Sequence, residues 1–349
     1  MGPMSGEQAS TGVDMLRGAQ LAAARLNTHG GVLGRRVELV AGDDRADPAT
    51  GATVARGLVR KGVSAVIGPF NSAVGLRALP IFRAAGLPVL RLTSAAATEG
   101  FGVTTQPMVG QIAPVEEADL TSVLHARSVA VLYDPSTYTA AIATQLAGGL
   151  RGAGVSVPVD AVLDPQASTA QIDQALTAVA AARPAVTYLA MYGPEAGMIA
   201  ARMLAAPQAY GRCFVDLAAQ GPSFVSAAGA AAPGCLNSGV PSAGQLPGGK
   251  TYTAAYRARY HTPPGTWGAF TYDSLDMLAA AVEHAHRWGG PKLRHALLHT
   301  RAFRGVTGTT TIAAPSGNRV DPPVVILDID AAGQYTIDPA WATFARYPA

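Results

Sequence analysis

The sequence predicts an α/β protein built from two doubly wound parallel sheets. Short apolar runs alternate with helical periodicities along the chain, the mark of parallel strands joined by crossover helices. The alternation restarts near Ser128, which implies two similar units in series with a cleft between them. Two of the runs also end alike. Val63–Ile67 stops at Gly68-Pro69-Phe70-Asn71-Ser72, and Leu87–Leu92 stops at Thr93-Ser94-Ala95-Ala96-Ala97-Thr98. Open parallel sheets bind ligands at such strand ends, and free N–H groups of a following helix favour an anion there.

Each element has its own local signal. The chain opens on Met1-Gly2-Pro3-Met4-Ser5-Gly6, a turn rather than a strand. Val13, Leu16, Ala19, Ala23 and Leu26 recur at helical spacing, and His29-Gly30-Gly31 ends that helix. Arg36–Val40 reads as a strand, followed by Asp43-Asp44, acids more typical of a loop or cap than of a catalytic pair. Helices near 47–61 and 74–85 lead into the two strands already described. The second set runs strand 128–133, helix 139–152, strand region 155–163, helix 170–181, strand 185–190, helix 194–205, strand 213–215, a short helix and strand 235–240. Gly-Pro-rich segments at 239–249 and 262–268 suggest crossings or hinges. Helices near 251–260 and 272–288 follow, and runs at 306–312 and 324–329 read as antiparallel strands.

Composition narrows the function. Charged residues make up 14% of the 349 and aromatics 6%, so small apolar side chains carry the core. A net charge of +3 without a basic run argues against nucleic acid as partner. The most apolar stretch, near Met191–Ala206, is broken by Gly193, Pro194, Glu195 and Arg202 and is too interrupted to span a membrane. Cys213 and Cys235 form a disulfide if the protein is exported, or stay two buried thiols. No histidine cluster has metal-ligand spacing, since His284 and His286 point to different helix faces.

One catalytic motif matches by its letters. Gly244-Gln-Leu-Pro-Gly-Gly249-Lys250-Thr251 fits the phosphate-binding loop, with Val324–Asp328 as its magnesium strand. A working loop follows its strand directly, whereas Pro241, Ser242 and Ala243 intervene here, so the expected reading is a Gly-Pro loop before a helix. No dinucleotide fingerprint follows any strand. Tyr138 and Tyr192 stand in turn-rich loops after two strands of the second unit, positions suited to covering a ligand and offering a hydroxyl.

In order and spacing, the motifs resemble the type I periplasmic solute-binding proteins of branched-chain amino acid (Leu/Ile/Val) transporters. The resemblance rests on Met4-Ser5-Gly6, Leu26-Asn27 through Gly30-Gly31 to Gly34, Asp43-Asp44 with Asp47-Pro48, Val66-Ile67-Gly68-Pro69, Leu87-Pro88, Tyr272-Asp273 and Gly305–Gly308. It implies the type I periplasmic-binding-protein fold: two lobes joined by a multi-strand hinge, with the ligand cleft between them. The lobes would be residues 1–117 with about 245–304, and 118–244 with about 305–349. It implies a non-enzymatic, monomeric receptor that needs no cofactor and hands a small carboxylate-bearing ligand to an ABC transporter permease.

Carried residue by residue, the family's carboxylate site falls on Ser72, Ala95, Ala96 and Ala97. Its second-lobe tyrosines fall on Tyr138 and Tyr192, its closing aromatic near Thr11, and a further aromatic on Trp267. The threonine that touches carboxylate and ammonium falls on Ala97, with Thr98 adjacent. The acid for the ammonium falls on Ala218, with Asp216 nearest. A buried unpaired ammonium costs several kcal/mol, so an amide or organic acid rivals an amino acid as ligand. A disulfide of some members falls on Ala46 and Asn71, so it is absent here.

Family members begin with a strand just before the Met-Ser-Gly turn. The expectation is therefore that the natural protein carries that strand and a signal sequence upstream, which would place it outside the cytoplasm as a periplasmic protein or cell-surface lipoprotein. If Met1 is the true start, the alternative is a cytosolic ligand-sensing regulator of the same fold. The remaining alternative is the nucleotide hydrolase suggested by residues 244–251.

Overall fold

The computed structural model describes residues 1–347, which divide into two compact units. The first comprises Met1–Met108 and Ser242–Pro323, and the second comprises Val109–Pro241 and the chain from Val324 onward. The chain thus passes between units three times. The third passage lies at 323/324 rather than near 304, because buried polar groups tie 305–323 to the first unit. Asp273 accepts the N–H groups of Val306 and Thr307, both at 2.7 Å, and the Thr307 hydroxyl at 2.6 Å. Arg319 donates to the carbonyls of Thr105, Thr307 and Thr309. The first passage also comes earlier, at 108/109 rather than after 117.

In the first unit, helix Ala9–Thr28 packs on helix Gly268–Ala285. Gly18 permits that approach, since a Cβ there would lie 1.9 Å from the Gly268 carbonyl oxygen. Asp47 caps helix Pro48–Arg60 by accepting the Thr50 N–H at 2.7 Å. Val66–Ile67 and Val89–Leu90 pair in parallel, and Leu90 bridges on to Val103. Ala55, Leu58, Ala78, Leu79 and Phe82 bury one face of these strands, and Ala22, Leu275, Leu278 and Val282 lie in the other core. The run 303–312 is a hairpin, Phe303–Gly305 against Gly308–Thr310.

The strand expected at Arg36–Val40 does not form. Val37 is held by the Asn27 side-chain amide, which donates to the Val37 carbonyl and accepts the Val37 N–H. Among the described residues nothing hydrogen-bonds the backbone of Glu38–Ala41, and Leu39 and Val40 are exposed. An apolar run makes a strand only where a neighbour pairs with it.

The second unit has the complete sheet. Seven strands lie in the order Tyr335–Ile337, Val325–Ile329, Cys235–Gly239, Arg212–Val215, Val186–Ala190, Val129–Tyr133, Asp160–Val162. Val325–Ile329 pairs antiparallel with both of its neighbours, Tyr335–Ile337 and Cys235–Gly239, and the remaining four pairs are parallel. Val186–Ala190 is buried throughout, as expected for a strand covered on both faces. Gly197 brings helix Gly193–Met203 close to helix Pro222–Ala228, where a Cβ would meet Ala227 and Ala228 within 3 Å. Helix Thr169–Ala182 begins with a capping box between Ser168 and Gln171.

Cys213 and Cys235 stand directly opposite each other on adjacent parallel strands, and they form a disulfide with Cα atoms 4.5 Å apart. The open choice between bridge and thiols is thereby resolved. The bridge closes a loop of 22 residues, so replacing both cysteines by serine should cost about 3 kcal/mol in urea unfolding.

Candidate functional site

In the first unit, two strand ends are stitched together. Val66–Ile67 delivers Gly68–Asn71 to helix Ser72–Ala84, and Val89–Leu90 delivers Thr93–Ala95 to the short 3-10 turn Ala96–Thr98. Ser72 is the first helical residue, and its hydroxyl oxygen accepts the Ala95 N–H at 3.2 Å. Ser72 and Ala95 are buried, whereas Ala96 and Ala97 are exposed. Among the described residues nothing accepts the Ala96 and Ala97 N–H groups. Two amides without acceptors beside a serine hydroxyl at a helix start have the chemistry to receive an anion.

Thr98 does not take part as expected. It is fully buried, its hydroxyl donates to the Ala95 carbonyl at 2.7 Å, and it receives the Thr93 hydroxyl at 2.7 Å. Its oxygen shapes the turn and is not presented to a ligand. Thr11 is half-buried in the first turn of helix Ala9–Thr28. Three residues before it, Gln8 accepts the Asn71 amide at 2.9 Å and ties that helix to the strand-end loop.

Trp267 is buried, with its ring 5.3 Å from Phe70 and 5.4 Å from Phe270. Asp14 fixes it: its carboxylate accepts the N–H groups of Gly265, Trp267 and Gly268 at 2.9, 3.0 and 2.6 Å, and the Tyr256 hydroxyl at 2.9 Å. Burial nevertheless raises the Asp14 pKa, against the pull of those four donors. The sequence reading missed Phe70 and Asp14. An acid set among Val13, Met15 and Leu16 of an apolar helix was the legible signal.

In the second unit, Tyr138, Tyr192 and Asp216 follow strands Val129–Tyr133, Val186–Ala190 and Arg212–Val215. The Tyr138 hydroxyl donates to Asp216 Oδ2 at 2.9 Å, and Asp216 Oδ1 caps its own turn through the Ala218 N–H at 2.8 Å. Tyr192 lies near enough to act electrostatically on the Tyr138 phenol. Beneath them sits Glu116, which the sequence reading missed, on helix Val109–Ala118. Glu116 Oε1 accepts the hydroxyls of Tyr188 at 2.9 Å and Ser238 at 2.5 Å. Burial, and then the neighbouring Asp216, hold its pKa well above the usual carboxylate range. Burial pushes Asp216 up to about 7, although the Ala218 N–H and Tyr138 hydroxyl oppose the shift.

The phosphate-loop letters make no such site. Strand Cys235–Gly239 ends well before Gly244, helix Gly249–Tyr260 begins at the second glycine of the Gly248-Gly249 pair, and Lys250 is exposed. Residues 244–251 belong to the first unit and strand Val325–Ile329 to the second. Among the described residues no group of three His, Cys, Asp or Glu side chains is placed to hold a metal ion, and no helix is long and apolar enough to cross a membrane.

A family model described as periplasmic binding protein matches residues 1–334. The leucine-, isoleucine-, valine-, threonine- and alanine-binding protein of Pseudomonas aeruginosa is 28% identical over 316 residues, covering 88% of this chain and 83% of that protein. The Leu/Ile/Val/Thr-binding protein of Salmonella typhimurium is 27% identical over 299 residues, covering 82% and 79%. Among solved structures, a leucine-binding protein from Thermotoga maritima superposes with a TM-score of 0.86 at 23% identity, covering 97% of this chain and 96% of that one. A branched-chain amino acid transporter substrate-binding protein from Streptococcus pneumoniae, in complex with isoleucine, gives 0.84 at 24% identity, covering 96% and 95%.

The raised acid in the second unit has a pH signature. A carboxyl whose folded pKa exceeds its unfolded value stabilises most when both states are protonated, and that advantage is lost as pH rises through the folded pKa. Asp216 should therefore make stability fall between about pH 4 and its folded value near 7. Asp216→Asn should flatten this part of the curve of unfolding free energy against pH in urea titrations. An unchanged slope would show that Asp216 ionises freely.

Proposed function

The chain belongs to the periplasmic binding protein family, and from that premise we propose that it is an extracytoplasmic receptor that delivers a small carboxylate-bearing solute to an ABC importer. It is a binding protein and not an enzyme. The observation that carries the reading is the Ser72–Ala95 link, which leaves the Ala96 and Ala97 amides beside a serine hydroxyl at a helix start. A carboxylate there would receive charge-assisted hydrogen bonds from groups that need no reorganisation. The residues proposed to touch the solute are Ser72, Ala95, Ala96 and Ala97 in the first unit, and Tyr138, Tyr192 and Asp216 in the second. Trp267, held by Asp14 against Phe70, supplies an apolar wall in the first unit, with Thr11 as a smaller contact. The Cys213–Cys235 bridge supports an oxidising compartment outside the cytoplasm. The partner is an ABC permease, and the receptor acts as a monomer.

The ligand is proposed to be an α-amino acid. The Pseudomonas relative is named for leucine, isoleucine, valine, threonine and alanine, and the acid that an ammonium requires is present as Asp216, two residues before Ala218. Glu116 adds a second buried carboxyl acting on Asp216. The absence of a threonine hydroxyl at Ala97 favours a second reading, in which the solute is an organic acid or amide without an ammonium.

One measurement tests the anion site and a second separates the two readings. Ser72→Ala should weaken carboxylate binding about 10- to 100-fold by calorimetry, the loss expected for one charge-assisted hydrogen bond; unchanged affinity would remove the anion site. An ammonium settling near Asp216, whose pKa is about 7, should release protons on binding at neutral pH. The apparent binding enthalpy would then vary with the ionisation enthalpy of the buffer. An organic acid would bind without that dependence.

A further inference from the structure

Arg91 directly follows strand Val89–Leu90 and is fully buried just ahead of the strand end at Ala95. A guanidinium out of water is costly unless an acid pairs with it. Among the described residues no carboxylate forms an ion pair with Arg91. Its partners are neutral. One terminal nitrogen donates to the Thr93 carbonyl at 2.9 Å and to Met108 Sδ at 3.1 Å. The other donates to the Ser316 carbonyl at 3.4 Å and to Asn318 Oδ1. The Nε–H has no acceptor among the described residues.

The nearest acid stands off by one side chain. Asn318 Nδ2 donates to Glu99 Oε1 at 2.8 Å, so an amide separates that exposed carboxylate from the guanidinium. Burial lowers the Arg91 pKa to about 10, opposed by the charge of Glu99, and the group stays cationic at neutral pH. The first unit therefore holds an interior positive charge that no contacting acid neutralises.

The hydrogen bonds of Arg91 run into the turn that presents Ala96 and Ala97. Thr93, whose carbonyl it holds, donates its hydroxyl to Thr98, and Thr98 donates to the Ala95 carbonyl. On the far side of the turn, the same guanidinium reaches Glu99 through Asn318. Gln106 completes the bracing, since its amide donates to the Leu92 carbonyl and to the Ser94 hydroxyl, which in turn donates to Pro107 at 2.7 Å. The carbonyls of Leu92, Thr93 and Ala95 thus each hold a donor. The Ala96 and Ala97 N–H groups are left without acceptors among the described residues.

Two N–H donors receive the oxygen of a neutral amide as well as that of a carboxylate; an unpaired cation behind them favours only the carboxylate. We propose that Arg91 is the specificity-determining residue of this strand end: its buried charge selects a carboxylate over an amide at Ala96 and Ala97, and its hydrogen bonds hold the turn that presents them. A charge in the interior is screened far less than one at the surface, so it acts on the exposed amides without touching the solute. The inference rests on the binding-site reading of this strand end and narrows the solute class to carboxylates, with or without an ammonium.

The test compares two matched pairs of solutes, L-leucine with L-leucinamide and isobutyrate with isobutyramide, by calorimetry and by the Ala96 and Ala97 amide resonances. In at least one pair the carboxylate should bind at least about tenfold more tightly than its amide. Arg91→Met should cut that preference to about threefold or less, and Arg91→Lys, which keeps the charge, should retain it. Where Arg91→Met does not fold, the double exchange Glu99→Gln with Asn318→Asp keeps Arg91 and the net charge but sets the acid against the guanidinium. It should lower the preference as far as Arg91→Met while Tm is retained; a purely structural Arg91 would leave the preference unmoved. An undiminished preference in the double exchange, or in folded Arg91→Met, would overturn the assignment. If no solute of either pair moves the two resonances in the unsubstituted chain, the binding site itself is wrong and this inference falls with it.

Discussion

Backbone pairing is the constraint on which the rest of the structure depends. A strand buried in a sheet must satisfy its N–H and C=O groups along both edges. The second unit meets that demand across seven strands, and its strand ends deliver Tyr138, Tyr192 and Asp216. The first unit meets it only in part. Val66–Ile67 and Val89–Leu90 pair over two residues, and the Ser72 hydroxyl then carries the connection onward to Ala95 where the strands have ended. The proposed anion site is thus an extension of strand pairing by a side chain. It leaves the next two amides without partners because the backbone there has turned into a 3-10 helix.

Carboxylates complete what backbone pairing leaves open. Asp14 gathers three donors from the loop that positions Trp267 and a fourth from Tyr256, and Asp273 gathers three from the segment that returns at 306–307. Asp43 does the same for the opening turn, accepting the Met4 N–H at 2.8 Å and the Ser5 hydroxyl at 2.6 Å. Each replaces a missing backbone partner with a charged acceptor, which is strong only because several donors converge on it. Glu116 and Asp216 have fewer hydrogen-bond donors than Asp14, and burial raises the pKa of all three. Carboxyls left short of donors suit a cation or a proton.

Most of the fold was legible because its signals are local. Helical spacing, the glycine stop at Gly30-Gly31 and apolar runs ending in Gly-Pro or Thr-Ser all act within a few residues. The strand ends at Ser72 and Ala95–Ala97 stood out because an apolar run that stops in small and hydroxyl residues is itself a chemical statement, and the family resemblance then suggested a carboxylate for them. What escaped was non-local. Arg36–Val40 looks like a strand in isolation, and only the absence of a pairing neighbour shows otherwise. Thr98 looked available until Thr93 and Ala95 were seen to use its hydroxyl. Glu116 lies on a helix containing Pro114 that no periodicity announced, and its partners Tyr188 and Ser238 are 72 and 122 residues away. The return of 305–323 to the first unit likewise depends on Arg319 and Asp273, which sequence spacing does not connect.

The most direct measurement follows the two unpartnered amides themselves. In ¹⁵N-labelled protein titrated with a panel of amino acids and organic acids, a bound carboxylate should move the Ala96 and Ala97 amide resonances downfield, saturating with the same affinity that calorimetry reports. A solute that saturates the protein while leaving both resonances where they were would contradict the assignment of the carboxylate to this strand end.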